Sequence, residues 1–148
     1  MPTLTGPLTA DGALVTIFIG VSEARRQKLQ RFNFPVPVPS QVRAVLDPGS
    51  PFTLAEVKNL QHFGIPSYRK QPLVSSASGL TAYLLPVYLL SVTLLDAAGH
   101  TLMYWPQVDV LGTTYDPTDA MQGVFGRDLL AACVFHYDGK ASSFSLTV

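Results

Sequence analysis

Short apolar or alternating stretches recur along the chain, each bounded by Gly, Pro, Asp or Ser. Residues 13–19 (Ala-Leu-Val-Thr-Ile-Phe-Ile) are β-branched and aromatic and predict a strand that Gly20 ends. Ser22 then caps a short helix reaching about residue 32, which carries Arg25, Arg26, Lys28 and Arg31. This basic run reads as a solvated helix face, with a phosphate-binding patch as the alternative. Pro35-Val36-Pro37-Val38-Pro39 cannot continue a helix and predicts a stiff, extended connector. Residues 42–46 form the next strand. Thr53-Leu54-Ala55-Glu56 matches a capping box, which predicts a helix from Thr53 with Leu54, Val57, Leu60 and Gln61 on one side and Gly64 as its stop. Strand-like runs follow at 71–74, at 82–95 (two successive strands, with Pro86 inside), and at 100–111 after a turn at 96–99. A polar loop over 112–122, a short strand at Val124-Phe125, a helical segment over 128–133 and a terminal hairpin turning at Asp138-Gly139 complete the pattern.

Many short strands with few helices predict a mainly β fold closed into a barrel-like sheet, carrying one or two short helices. The length fits one domain over 1–148: an N-terminal strand, helix and Pro-rich connector (1–41), then a core (42–148). Ten basic and ten acidic residues give zero net charge, which argues against nucleic acid as a partner. Charged residues are only 14% of the chain against 47% hydrophobic, a balance that suits a protein hiding surface in an oligomer. The single cysteine, Cys133, excludes an intrachain disulfide and reads as a small buried residue. His62, His100 and His136 show no metal-ligand spacing among themselves or with Cys133, and no nucleophile elbow or phosphate loop occurs. No metal and no cofactor are expected. The start of the chain lacks a signal-like basic and apolar run, and 82–95 is too short to span a bilayer; a cytoplasmic location and no membrane partner are the expectations. Tyr104 and Trp105 read as core or interface packing.

The candidate chemistry lies at Asp47-Pro48-Gly49-Ser50. Locally this is a good β-turn, with Asp at its first position, Pro presetting φ at the second and Gly at the third, and a purely structural turn in a monomeric β domain satisfies it. The wider order is more specific: a strand ending in an acid and Gly-Ser, a helix, a long hairpin with a small-residue tip, further strands, then Gly123-Val124-Phe125-Gly126-Arg127-Asp128-Leu129-Leu130. From residue 42 to the end this resembles the retropepsin-like aspartic peptidases, cellular bacterial members more than retroviral ones.

The resemblance implies an aspartic endopeptidase. Its two catalytic carboxylates would be Asp47 from each subunit of a homodimer, about 3 Å apart and sharing one proton, with activity under mildly acidic conditions. It implies that Gly49 lets its amide approach Asp47 and that Ser50 bonds the outer carboxylate oxygen. It implies a flap over a peptide or protein substrate at Ser76, Ala77, Ser78, Gly79 and Leu80. It also implies that Gly126, Arg127 and Asp128 support the loop, with Asp128 as one candidate partner for Arg127. Position 48 is proline where the family carries a hydroxyl that bonds across the dimer axis. An impaired or inactive relative, serving as a dimeric peptide-binding module, is therefore the alternative.

Overall fold

The computed structural model describes residues 1–74 and 81–148. Ten strands and three short helices follow in the order β1 (Thr3–Thr9), β2 (Gly12–Val21), α1 (Glu23–Arg31), β3 (Ser40–Leu46), β4 (Thr53–Glu56), α2 (Val57–Gln61), β5 (Arg69–Val74), β6 (Ala82–Leu95), β7 (Thr101–Thr113), β8 (Gly123–Phe125), α3 (Arg127–Leu130), β9 (Val134–Asp138) and β10 (Ser143–Thr147). The expected mainly β class holds. Six strands close on themselves in the order β2-β3-β8-β4-β7-β6, because β6 pairs with β2 as well as with β7. Closure removes two sheet edges and lets each strand point alternate side chains inward. In β2 the inward set includes Val15, Ile17 and Ile19; facing strands add Val42, Ala44, Leu90, Val92, Leu94, Val110 and Phe125, all buried. Trp105 packs its edge against Phe125 at 5.6 Å, as the packing reading of that residue requires.

The strands at 13–19 and 42–46 and the Ser22 cap form where the pattern puts them, the proline-rich residues 35–39 continue neither helix nor strand, and Ser22 Oγ accepts from the Arg25 N–H at 3.3 Å. Two expectations are corrected. Residues 82–95 form one 14-residue strand: Pro86 sits opposite Lys70 of β5, and the register shifts come later, at Leu90/Val92 and Leu94/Leu95. Residues 53–56 are strand β4, parallel to β7 and antiparallel to β8, and the helix begins only at Val57 with Glu56 as its cap. Two-sided pairing satisfies more backbone groups than a first helical turn, whose amides would need a cap. Residues 3–9, which the local pattern leaves unassigned, pair with β10 and with β2, so the N-terminus completes a sheet that also holds the C-terminal hairpin.

β3 and β8 are parallel, with Leu46 opposite Phe125. Both therefore end at the same rim of the barrel, which brings Asp47 beside Gly126 although 78 intervening residues separate them in the chain.

Candidate active site

Asp47 continues β3 by one bond, its N–H donating to the Phe125 carbonyl at 3.1 Å. The chain then turns: the Ser50 N–H donates back to the Asp47 carbonyl at 3.1 Å, closing the β-turn expected of Asp-Pro-Gly-Ser. Within it the Gly49 N–H donates to Asp47 Oδ1 at 2.8 Å. A Cβ on Gly49 would stand 3.0 Å from that same oxygen, so the absent side chain is what admits the amide. Asp47 is half-buried and Pro48 exposed at the tip. Ser50 departs from expectation. Its hydroxyl donates to the Phe52 carbonyl at 2.7 Å and is thereby committed to the loop's own backbone.

The loop is fastened to the Gly-Arg-Asp segment from below. The Arg127 N–H donates to the Ser50 carbonyl at 2.8 Å. Thr53, wholly buried, donates from its N–H to Asp128 Oδ2 at 3.0 Å and from its hydroxyl to Asp128 Oδ1 at 2.8 Å. The same hydroxyl accepts from the Gly126 N–H at 3.2 Å, and the Leu129 N–H also donates to Asp128 Oδ1, at 3.0 Å. Asp128 is thus bound to Thr53 and not to Arg127, which removes it as the candidate partner of Arg127. Arg127 is exposed, its side chain makes no hydrogen bond or ion pair among the described residues, and its contact with the loop is through the main chain. Asp128 is exposed as a residue, but desolvation around its carboxylate, which lies against the Thr53 strand, pushes its carboxyl above the usual range, and the hydrogen bonds from Thr53 and Leu129 pull the other way without overcoming it.

Gly126 is set by contact. A Cβ there would fall 2.3 Å from the Phe52 carbonyl oxygen and 2.9 Å from Asp128 Oδ1, so only glycine lets the two loops lie this close. Sequence reasoning missed Thr53 and Phe52 in this arrangement, having assigned Thr53 to a helix cap. The available signal was a β-branched residue followed by Leu54-Ala55, which suits a buried strand as well as a helix start.

The expected flap residues Ser76, Ala77, Ser78, Gly79 and Leu80 lie outside the described residues. The strands leading to and from them are described: Leu73 faces Tyr83 and Val74 faces Ala82. There Val74, Tyr83 and Leu84 are 56%, 57% and 64% exposed, so this end of the β5–β6 pair stands clear of the barrel. Cavities of about 530 and about 480 Å³ open near α1, and neither is lined by the Asp47 loop. Among the described residues no cluster of His, Cys, Asp and Glu is arranged to hold a metal ion, and no helix is long and apolar enough to cross a membrane.

No family model and no curated protein matches the chain. Among the solved structures that share its fold are two aspartic proteases. One is a retropepsin-like aspartic protease from Rickettsia conorii, 14% identical over 98% of this chain and 89% of that one, with a TM-score of 0.53. The other is an aspartic proteinase from Irpex lacteus, 14% identical, with a TM-score of 0.56. This chain is covered completely in that second comparison but spans only 47% of the Irpex lacteus chain. The fold is accordingly that of the retropepsin-like aspartic proteases.

Proposed function

We propose that the chain is an aspartic endopeptidase of the retropepsin type, acting as a homodimer with one Asp47 from each copy at the twofold axis. The observation that carries this reading is the placement of Asp47. It stands at the end of a barrel strand, with the Gly49 amide on one carboxylate oxygen and with its loop pinned to the Gly126-Arg127-Asp128 segment. One carboxylate cannot be both base and acid in a single step. An isologous dimer supplies the second from the same position of the partner copy.

In the dimer the paired carboxylates share one proton, because two like charges so close cannot both be ionised. The ionised member takes a proton from a bound water, which attacks the scissile carbonyl. The protonated member donates to the carbonyl oxygen as negative charge develops there. Gly49 contributes by holding one Asp47 oxygen, which fixes the plane of the carboxylate. An extended peptide or protein substrate would lie as an added strand between the loop rim and the exposed end of the β5–β6 pair, held by main-chain hydrogen bonds.

One observation favours a second reading. Pro48, exposed at the loop tip, has neither a hydroxyl nor an N–H to offer a partner loop. Two symmetric bonds of about 1 kcal/mol each are then missing from the axis. The second reading is an impaired relative that keeps the dimeric cleft to bind peptides.

The deciding experiment is cleavage of a diverse peptide mixture by the purified protein from pH 3.5 to 7, with its mass in solution measured alongside and Asp47→Asn as control. Cleavage that disappears in Asp47→Asn supports the peptidase. A folded, dimeric and silent wild type supports the binding module. A monomer at micromolar concentration sinks both.

A further inference from the structure

Helix α1 and the chain that leaves it have no part in the site described above, yet they carry the densest charge in the molecule. Four of the ten basic residues, Arg25, Arg26, Lys28 and Arg31, fall within seven positions, with Glu23 the one acid on the helix. Glu23 is consumed locally. It holds Arg26 through two contacts and accepts from Tyr104 of β7 at 2.9 Å, which ties this side of the helix to the barrel. Arg25, Lys28 and Arg31 are exposed and have no acidic partner within 4 Å among the described residues. Arg25, Lys28 and Phe32 recur at the spacing that aligns side chains along one helical side, with Arg31 flanking them.

The apolar part of this surface is held in place. Helix α1 ends with Asn33 at φ 55°, its N–H donating to the Gln30 carbonyl at 3.1 Å, while the Phe34 N–H donates to the Leu29 carbonyl at 2.9 Å. These two bonds are a Schellman motif, which fixes the exit direction of the chain. Phe32 and Phe34 are consequently presented from an ordered turn, 58% and 63% exposed, and the stiff connector adds Val38 at 73%. No residue of α1 is buried. A helix whose Glu23, Arg26 and Leu29 side is only half-buried, with three unmatched cations on the rest of its surface and large apolar side chains exposed at its end, is unexplained by the packing of the fold.

We propose that the α1 side carrying Arg25, Lys28 and Arg31, together with Phe32 and Phe34, is a docking surface for an acidic protein segment that carries apolar side chains. Charge complementarity selects an anionic partner, and the ordered phenylalanines select one with apolar groups to bury. A membrane fits less well, because the apolar residues of α1 do not gather on one face, as an interfacial helix requires. Nucleic acid fits less well because the cations are confined to one short helix of a chain with zero net charge. The proposal is independent of whether Asp47 cleaves peptides.

The test is selection of a random twelve-residue peptide display library on the whole protein, with selected peptides re-measured by fluorescence anisotropy. Two variants are read beside the wild type: Arg25→Glu/Lys28→Glu/Arg31→Glu and Phe32→Ser/Phe34→Ser. All five positions are exposed, so both should keep the wild-type circular dichroism and melting profile. The expected result is enrichment of peptides combining Asp or Glu with Leu, Phe or Trp. Binding should weaken at least tenfold in each variant and should fall as salt is raised. Enrichment without acidic residues, or selected peptides binding both variants as well as wild type, overturns the proposal. So does an empty selection, whether or not a single-stranded RNA oligomer or vesicles of phosphatidylserine and phosphatidylcholine bind the wild type.

Discussion

Substituting Gly126 by alanine tests whether contact between the two loops, and not mere proximity, positions Asp47. The added Cβ would lie 2.3 Å from the Phe52 oxygen and 2.5 Å from the Phe52 carbonyl carbon, where real Cβ atoms essentially never approach within 3.0 Å. The backbones must therefore separate by about 0.7 Å or more. The obstacle is main chain, so no rotamer change relieves it. Backbone strain is not the issue, since φ at Gly126 is −85°, open to any residue. Forced overpacking of this kind costs about 1–3 kcal/mol. At roughly 3 °C per kcal/mol for a chain of this size, the melting temperature should fall by about 3–9 °C. The displacement acts on the segment that carries the Ser50 and Thr53 anchors, and misplacement of about 1 Å costs ~100-fold in rate. Any peptidase activity should therefore drop between tenfold and a hundredfold. Urea denaturation at constant m-value measures the first effect and initial rates on a cleaved peptide the second. Gly64→Ala is the matched control: φ is +64° there with nothing within 4 Å of the new Cβ, so it should lose about 1 kcal/mol by conformational strain. It should leave activity unchanged. A Gly126→Ala protein with wild-type midpoint and rate would show that the loops are not held by this contact.

Other outcomes follow from the same structure. Thr53→Val keeps the shape of the side chain but leaves the buried Gly126 N–H without its acceptor and removes one of the two donors to Asp128 Oδ1, the Leu129 N–H remaining, which should destabilise by about 1–3 kcal/mol in urea denaturation. The same variant should raise the Asp128 carboxyl further, read by carboxyl NMR titration, because Thr53 supplies the bonds that oppose burial. A folded-state pKa above the unfolded value means that stability is fully present below the unfolded value and declines as pH rises through the folded one. Asp128→Asn should flatten that decline. Glu23 behaves in the opposite sense. Its hydrogen bonds from Arg26 and then Tyr104 lower its carboxyl to about 2, so its contribution is present above the unfolded value of 4.5 and lost as pH falls toward 2. Tyr104→Phe should move the Glu23 titration upward, and an unchanged titration would remove Tyr104 from the tether. Pro48→Thr should raise activity if the missing hydroxyl is what limits the site; an inert Pro48→Thr dimer would place the defect elsewhere in the cleft.

Sequence and structure part company at identifiable places. The helix start at Thr53 is the instructive error. Thr-Leu-Ala-Glu satisfies the capping pattern, and nothing within four residues distinguishes it from a buried strand. The decision comes from β7 and β8, which offer hydrogen bonds on both sides and arrive from 55 or more residues downstream. Residues 3–9 went unassigned for the same reason, since their partners Ser143–Thr147 stand at the other end of the chain. The Asp128 pairing was legible only in part. An acid beside Arg127 suggests an ion pair by adjacency, whereas the fold turns the two side chains apart and gives Asp128 two donors from Thr53.

By itself the sequence determined what depends on short-range chemistry: the strands at β2 and β3, the Ser22 cap, the stiff proline connector, and the Asp-Pro-Gly-Ser turn with a glycine amide available to Asp47. These follow from φ preferences, capping and side-chain periodicity, which operate over a few residues. Tertiary structure alone decided barrel closure through β2 and β6, the parallel pairing that brings Asp47 to Gly126, and the Thr53–Asp128 bonds beneath the loop. Each joins residues some seventy positions or more apart. Which distant backbone groups meet is set by satisfying every buried donor and acceptor in one closed sheet, a condition that no local stretch of sequence contains.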